Sequence, residues 1–267
     1  MMAELDVLVP TYRRPAALAV TLATLIGQTL PAFRVIVSDQ TEPPGSLDTG
    51  EIQAVVRVLR ATGRRVELLA HRPPRGLAEH RQWLLDRASA RYALFLDDDV
   101  ICEPDLLERL LRTIREEGCG FVGSAVMGLS HDADHRPLEE GIEFWDGPVQ
   151  AERVEPGGPE WERHRLHNAA NLYLLQRRLG LTAETQRVYH VAWVGGCVLY
   201  DVEALRACGG FAFWTELPPN HAGEDALAQL RVMARFGGCG VIPSGAYHQE
   251  LETTVPDRAA DAPWVLR

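Results

Sequence analysis

Lysine is missing from this chain of 267 residues, and all 27 basic side chains are arginine. That absence excludes Schiff-base chemistry and a P-loop, both of which need an ε-amino group. Cysteine is scarce and scattered: five thiols, Cys102, Cys119, Cys197, Cys208 and Cys239, with no C-x-x-C spacing, fit neither a disulfide framework nor a zinc ribbon. A reducing cytoplasm is the simplest compartment for them. Positive charge is in deficit, 37 acids against 27 arginines with a net charge of -10, which argues against a nucleic-acid partner. No apolar run approaches the ~20 residues of a membrane-spanning helix, so no transmembrane segment is expected, while peripheral contact with a membrane stays open. The first residues, Met1-Met2-Ala3-Glu4-Leu5-Asp6, carry acids where a secretory signal would be basic.

The apolar share of 46% is enough for one large α/β domain. Apolar strands at 5–9, 33–37, 66–70 and 92–96 alternate with helical stretches at 15–26, 52–61, 77–88 and 104–117, and a fifth strand follows at 120–126. Pro10 is read as the stop of the first strand. Repeated βα units predict a mostly parallel sheet flanked by helices, with 1–127 as a first half. Residues 128–187 are rich in Gly, Pro, His and charge, with one helical stretch at 167–179, and read as a variable insertion able to cover a site. The pattern resumes over 188–250, with an apolar run to Tyr200 broken at Gly195-Gly196, helices at 202–207 and 223–236, and a strand at 240–243. The tail, 251–267, reads as loosely held.

The strongest chemical signal is Leu94-Phe95-Leu96-Asp97-Asp98-Asp99-Val100. Three acids directly after a buried strand sit at the carboxyl edge of the sheet, where open α/β folds place their ligand crevice. Adjacent carboxylates repel unless a cation or hydrogen-bond donors balance them, and an all-oxygen cluster suits Mg²⁺ or Mn²⁺. The alternative is a solvated turn before the next helix. Pro10-Thr11-Tyr12-Arg13-Arg14 ends the first strand and opens a helix, an arrangement suited to an anion. Asp39, ending the second strand, accepts either from a nucleobase or sugar, or from its own turn. Gly76 and Arg81 open the helix before the acidic strand, Arg81 being a candidate for diphosphate charge. Glu224-Asp225 stands in a first helical turn, where acids stabilise helices cheaply but where a general base is equally at home. His248 is a candidate metal ligand, whereas His131 and His135, flanking Asp132 and Asp134, read as a solvated loop.

In this order the motifs resemble the family 2 glycosyltransferases, enzymes of the GT-A fold that use nucleotide sugars. The resemblance runs clearly from Val7 to Val126, fairly well from Trp193 to His248, and poorly between them. It implies nucleotide binding by Pro10, Thr11, Tyr12, Arg13, Asp39, Gly76, Arg81, Asp97 and Asp98, and a Mn²⁺ or Mg²⁺ ion on Asp99 and His248. It further implies Asp225 as the base, with Glu224 orienting it or, as the second choice, exchanging that role, in a single displacement with inversion, from a UDP-sugar ahead of dTDP- or GDP-sugars to a glycan, lipid or small-molecule acceptor. Gln82 departs from the asparagine usual after that arginine. Gly209-Gly210-Phe211 resembles an acceptor-side segment, and Trp193, Gly196 and Trp214 are candidates for touching a sugar, core packing being the alternative for the tryptophans. Two rival functions are a non-catalytic module of the same fold and a haloacid-dehalogenase-like phosphatase, which needs a first-strand Asp and a later lysine. A nucleotidyltransferase would need a Gly-rich loop after the first strand, and none is there.

Overall fold

The computed structural model describes residues 3–255 and 258–266. The strands are β1 (Leu5–Thr11), β2 (Arg34–Asp39), β3 (Arg65–Ala70), β4 (Tyr92–Leu96), β5 (Val100–Cys102), β6 (Phe121–Gly123), β7 (Arg187–Tyr189), β8 (Cys197–Asp201), β9 (His221–Ala222), β10 (Gly238–Ile242), β11 (Ala246–His248) and β12 (Ala260–Asp261). The helices are α1 (Pro15–Ile26), α2 (Gly50–Ala61), α3 (Leu77–Leu85), α4 (Leu106–Glu117), α5 (Asn171–Leu179), α6 (Val202–Ala207), α7 (Glu224–Phe236) and α8 (Ala262–Val265).

Eight strands form one sheet in the order β3-β2-β1-β4-β8-β6-β10-β7. The first four are mutually parallel, β8 runs antiparallel between β4 and β6, and β7 closes the far edge antiparallel to β10. All seven residues of β1 are buried because helices cover both faces of the sheet, and this is why the strand reads as a continuous apolar run. Its side chains alternate between two cores: Leu5, Val7 and Val9 pack with α1, α2 and α4, and Leu8 packs with α3 and α7. Asp6, inside that strand, is neutralised by Arg34 at 2.6 and 2.9 Å.

Several expectations are corrected. Pro10 does not stop β1, which continues to Thr11. Pairing with β4 ends at Leu8, so beyond that point β1 has only β2 as a neighbour and a proline is tolerated. The triple acid does not precede a helix. It forms the turn between β4 and the three-residue β5, which pairs antiparallel with β11 and sets Val100 opposite His248. The tail is not loose throughout: β12 pairs in parallel with β9, and Ala262 is fully buried against the α7 side of the core. The middle segment folds through short 3₁₀ turns and α5. Arg163 ties it together by pairing with Glu143 at 2.7 Å and with Glu152, and a main-chain bond from Trp145 to Val188 docks it on the sheet edge.

Candidate active site

A cleft of about 880 Å³ opens at the carboxyl ends of β1 and β4. Its floor is the acidic turn. The Asp97 amide donates to the Gly196 carbonyl at 2.9 Å, fixing the turn to the loop before β8. Gly196 has φ +77°, and a Cβ there would stand 2.6 Å from Val126 Cγ2, so this residue is a seat for the acids and not a surface for a sugar. From α1, the Thr21 hydroxyl donates to the Asp98 carbonyl at 2.8 Å and accepts the Val100 amide at 3.1 Å. The Asp98 carboxylate accepts from Thr11 Oγ1 at 2.6 Å. Burial pushes the Asp98 carboxyl up to about 7; the Thr11 bond opposes this, Asp99 and Asp97 add to it, and Arg14 counters it.

Asp99 lies 2.6 Å from Arg14 Nη1 through Oδ2, and the same oxygen is 3.4 Å from His248 Nε2. The expected arginine of this turn was Arg13, and the structure corrects it. Arg13 has φ 57°, donates its amide to Thr41 Oγ1, and sends its exposed guanidinium to Glu42 at 2.8 Å, over the Tyr12 ring. The left-handed residue turns the chain so that the next arginine, Arg14, faces the acids. Tyr12 stays on the cleft wall beside Pro10 and Thr11. Asp39 follows the alternative reading: its two oxygens accept the Thr41 and Ser46 amides at 2.8 and 2.7 Å, so it shapes its own turn, and Gln40 is the neighbour that lines the cleft.

The opposite wall comes from α3 and α7. Arg81, 4% exposed, spans them by donating to Asp97 at 2.9 Å and to Glu224 at 3.1 Å. Burial alone would lower its pKa, but Asp97, Glu224 and Asp225 together raise it, so the guanidinium stays charged. Glu224 is thereby committed to Arg81. Asp225 is not: one oxygen accepts the Ala226 amide at 2.8 Å, and the other points past Gly195 into the cleft, where a Cβ on Gly195 would stand 3.8 Å from it. Desolvation, then Glu224, hold the Asp225 carboxyl well above the usual carboxylate range despite Arg81. Gln82 bonds the Phe211 amide through Oε1 at 2.8 Å, so the departure from asparagine anchors the Gly209-Gly210-Phe211 segment.

Three contributors went unread in the sequence. His221 accepts the Ala78 amide on Nε2 at 3.0 Å and bonds the Pro218 carbonyl through Nδ1 at 2.7 Å, which locks the start of α3 onto the strand preceding Glu224. Its only sequence signal was its position just before Glu224-Asp225. Trp161, from the 3₁₀ turn Pro159–His167, and Arg258 also line the cleft, without any local pattern to announce them. Trp193 lines it too, its ring edge 3.5 Å from the position of a Gly195 Cβ. Trp214 does not: it sits in the Ala212–Glu216 turn and packs on the core, following the second of its two readings. His131 and His135 lie in an exposed or half-exposed loop, and Asp134 pairs with Arg136.

Six acidic residues, Asp97, Asp98, Asp99, Glu224, Asp225 and Asp261, thus line a cleft whose guanidiniums are Arg14, Arg81 and Arg258, so a polyanion entering it calls for added positive charge. Among the described residues no group of three His, Cys, Asp or Glu is arranged to hold an ion alone. Hard divalent ions commonly use one or two carboxylates and take their remaining ligands from substrate phosphates and water. Asp99 fits that role. His248 fits it less well: its Nδ1 accepts the Glu250 amide at 2.7 Å, so the neutral ring carries its proton on Nε2 and turns an N–H, not a lone pair, toward Asp99.

The fold and this cleft define a GT-A glycosyltransferase architecture. The family described as Glycosyl transferase family 2 matches residues 6–193, well over half of the chain, and the chain belongs to that family. The succinoglycan biosynthesis protein ExoM of Rhizobium meliloti is 36% identical over 122 residues, 45% of this chain and 37% of that protein. Matched stretches span 37% to 51% of the curated relatives, so the chain aligns with about half of their length or less. Among solved structures, S. aureus TarS 1-349 in complex with UDP-GlcNAc superimposes with TM-score 0.58 at 16% identity, covering 94% of this chain and 60% of that one. The Pyrobaculum calidifontis mannosyltransferase PcManGT, in complex with GDP-Man and Mn²⁺, gives TM-score 0.52 at 17% identity, covering 90% and 57%. No helix among the described residues is long and apolar enough to cross a membrane.

Proposed function

We propose that the chain transfers a hexosyl group from a nucleoside-diphosphate sugar, a UDP-sugar first, to an acceptor hydroxyl, inverting the anomeric centre. The observation that carries this reading is Asp225: a carboxylate of raised pKa with one oxygen tied to the Ala226 amide and the other free toward the cleft that also holds the triple acid. A general base is most effective when its pKa lies near the working pH. Asp225 takes the acceptor's proton, the freed oxygen attacks the anomeric carbon from the face opposite the diphosphate, and the bond to the diphosphate oxygen breaks. Glu224 and Arg81 hold the helix start in position and do not exchange protons with substrate. UDP comes first because TarS, a neighbour in fold, is described with UDP-GlcNAc. Thr11, Tyr12 and Gln40 would flank the nucleoside.

A divalent ion held by Asp99 together with the diphosphate oxygens would neutralise charge on the leaving group. His248 would then orient Asp99. Trp161 and Trp193 line the same cleft as Asp225, and aromatic rings there would suit a sugar-ring acceptor better than a flexible chain. Calorimetric titration with UDP and Mn²⁺, followed by a donor screen with product analysis, tests the reading. Binding of UDP, dTDP and GDP all failing in the presence of Mn²⁺ would sink it.

A further inference from the structure

Arg14 holds an unusual position for a cation in an anion-binding cleft. Its side chain is only 15% exposed, and it spends its charge on protein groups: Asp99 Oδ2 at 2.6 Å, Asp98 Oδ1 at 3.5 Å and the main-chain carbonyl of Glu252. The oxygen it covers, Asp99 Oδ2, is the one that a divalent ion would need. A guanidinium on that oxygen and a divalent ion beside it oppose each other, because two cations a few ångströms apart repel in a poorly hydrated cleft. A guanidinium is also a better match for two phosphate oxygens, through its planar fork, than for a carboxylate it reaches with one nitrogen.

Resting on the nucleotide-sugar reading, we propose that Arg14 is an exchangeable counter-ion. In the nucleotide-free protein it neutralises Asp98 and Asp99 and keeps divalent ions out. When a nucleoside diphosphate enters, the guanidinium passes to the diphosphate oxygens, and Asp99 is released to hold Mn²⁺ or Mg²⁺. Nucleotide and ion therefore bind as a linked pair. The Glu252 contact extends the linkage: Leu251, Thr253 and Thr254 line the cleft next to the carbonyl that Arg14 holds, so its departure also unties that stretch of chain from the acidic turn.

The test is Mn²⁺ binding without nucleotide, read by the electron paramagnetic resonance of free Mn²⁺, on metal-stripped wild type, Arg14→Gln, Arg14→Lys and Asp99→Asn. Wild type should bind Mn²⁺ alone weakly, and at least tenfold more tightly with UDP present. Arg14→Gln should bind Mn²⁺ alone at least tenfold more tightly than wild type and gain less from UDP. Arg14→Lys, which keeps the charge, should stay near wild type for Mn²⁺ alone, and Arg14→Gln in the Asp99→Asn background should gain nothing. Arg14→Gln binding Mn²⁺ no better than wild type, with circular dichroism confirming its fold, would overturn the proposal. Should that variant fail to fold, Arg14→Lys binding Mn²⁺ alone markedly more tightly than wild type would overturn it instead. Failure of UDP to bind wild type at all strikes the nucleotide-sugar reading, and the nucleotide-free Mn²⁺ comparison still decides whether Arg14 guards Asp99.

Discussion

Two carboxylates with raised pKa values, Asp98 and Asp225, owe the shift first to desolvation but differ in what their free oxygen meets. Asp225 faces the cleft. Replacing it with Asn keeps its shape and its bond from the Ala226 amide and removes only the basicity, so transfer should fall by roughly 10²–10⁴-fold while UDP affinity changes little. Steady-state kinetics beside calorimetry checks this. In wild type the rate should rise with pH through an apparent pKa well above the ordinary aspartate value of 3.8, because the base works only when ionised. Asp98 faces Thr11 and sits beside Asp99, so its raised pKa shows in stability. Its folded pKa of about 7 exceeds the ordinary aspartate value of 3.8, so between those pH values the folded state holds a proton that the unfolded state has lost. Stability contributed by this group is therefore full below about 4 and is lost as pH rises to 7. Asp98→Asn should flatten that slope and stabilise the metal-free protein at pH 8 by roughly 1–3 kcal/mol, read as the melting temperature at pH 5 and pH 8 in chelator.

At the scale of elements, the site depends on how the start of α3 is clamped. Gly76 has φ +100°, and a Cβ there would fall 2.6 Å from His221 Cε1 and 2.7 Å from the Pro219 carbonyl. Gly63 shares the left-handed backbone, at φ +86°, but has nothing within 4 Å. Gly63→Ala should thus cost only the backbone strain of about 1–2 kcal/mol, whereas Gly76→Ala adds a collision with the clamp and should lower both melting temperature and transfer rate. A matched pair of thermal melts separates the two effects. Far from the cleft, Asp201 caps α6 by accepting the Ala204 amide at 3.0 Å, and Asp201→Ala should cost about 1 kcal/mol in urea unfolding without touching activity.

These elements also mark how far the sequence could be read. The limits of α1, β4 and α6 agree with their patterns, since each is a buried apolar stretch or amphipathic turn bounded by Pro, Gly or charge. β5 escaped because three residues carry no period. That gap hid its pairing with β11, and so the reason why His248 stands beside Asp99. The choice between Arg13 and Arg14 hangs on one positive φ, which no local pattern discloses for an arginine. Trp161 and Arg258 reach the cleft through tertiary packing alone. Asp225, Glu224, Arg81 and the triple acid were legible because charge placed at helix starts and strand ends is visible in the chain itself.

For the molecule as a whole, β8 is the strand that matters most to assembly. It is inserted antiparallel between β4 and β6, although β4 ends about a hundred residues before β8 begins. During synthesis at 5–20 residues per second, the Tyr92–Leu96 edge therefore waits roughly 5–20 s for its partner, as an unpaired and wholly apolar template. The long sequence separation of that pairing also slows refolding of the finished chain. Light scattering during dilution from urea should accordingly rise with protein concentration and fall when a holdase chaperone is present. Until β8 arrives to join the two halves of the cleft, the waiting edge of β4 is thus open to capture by another copy of the nascent protein.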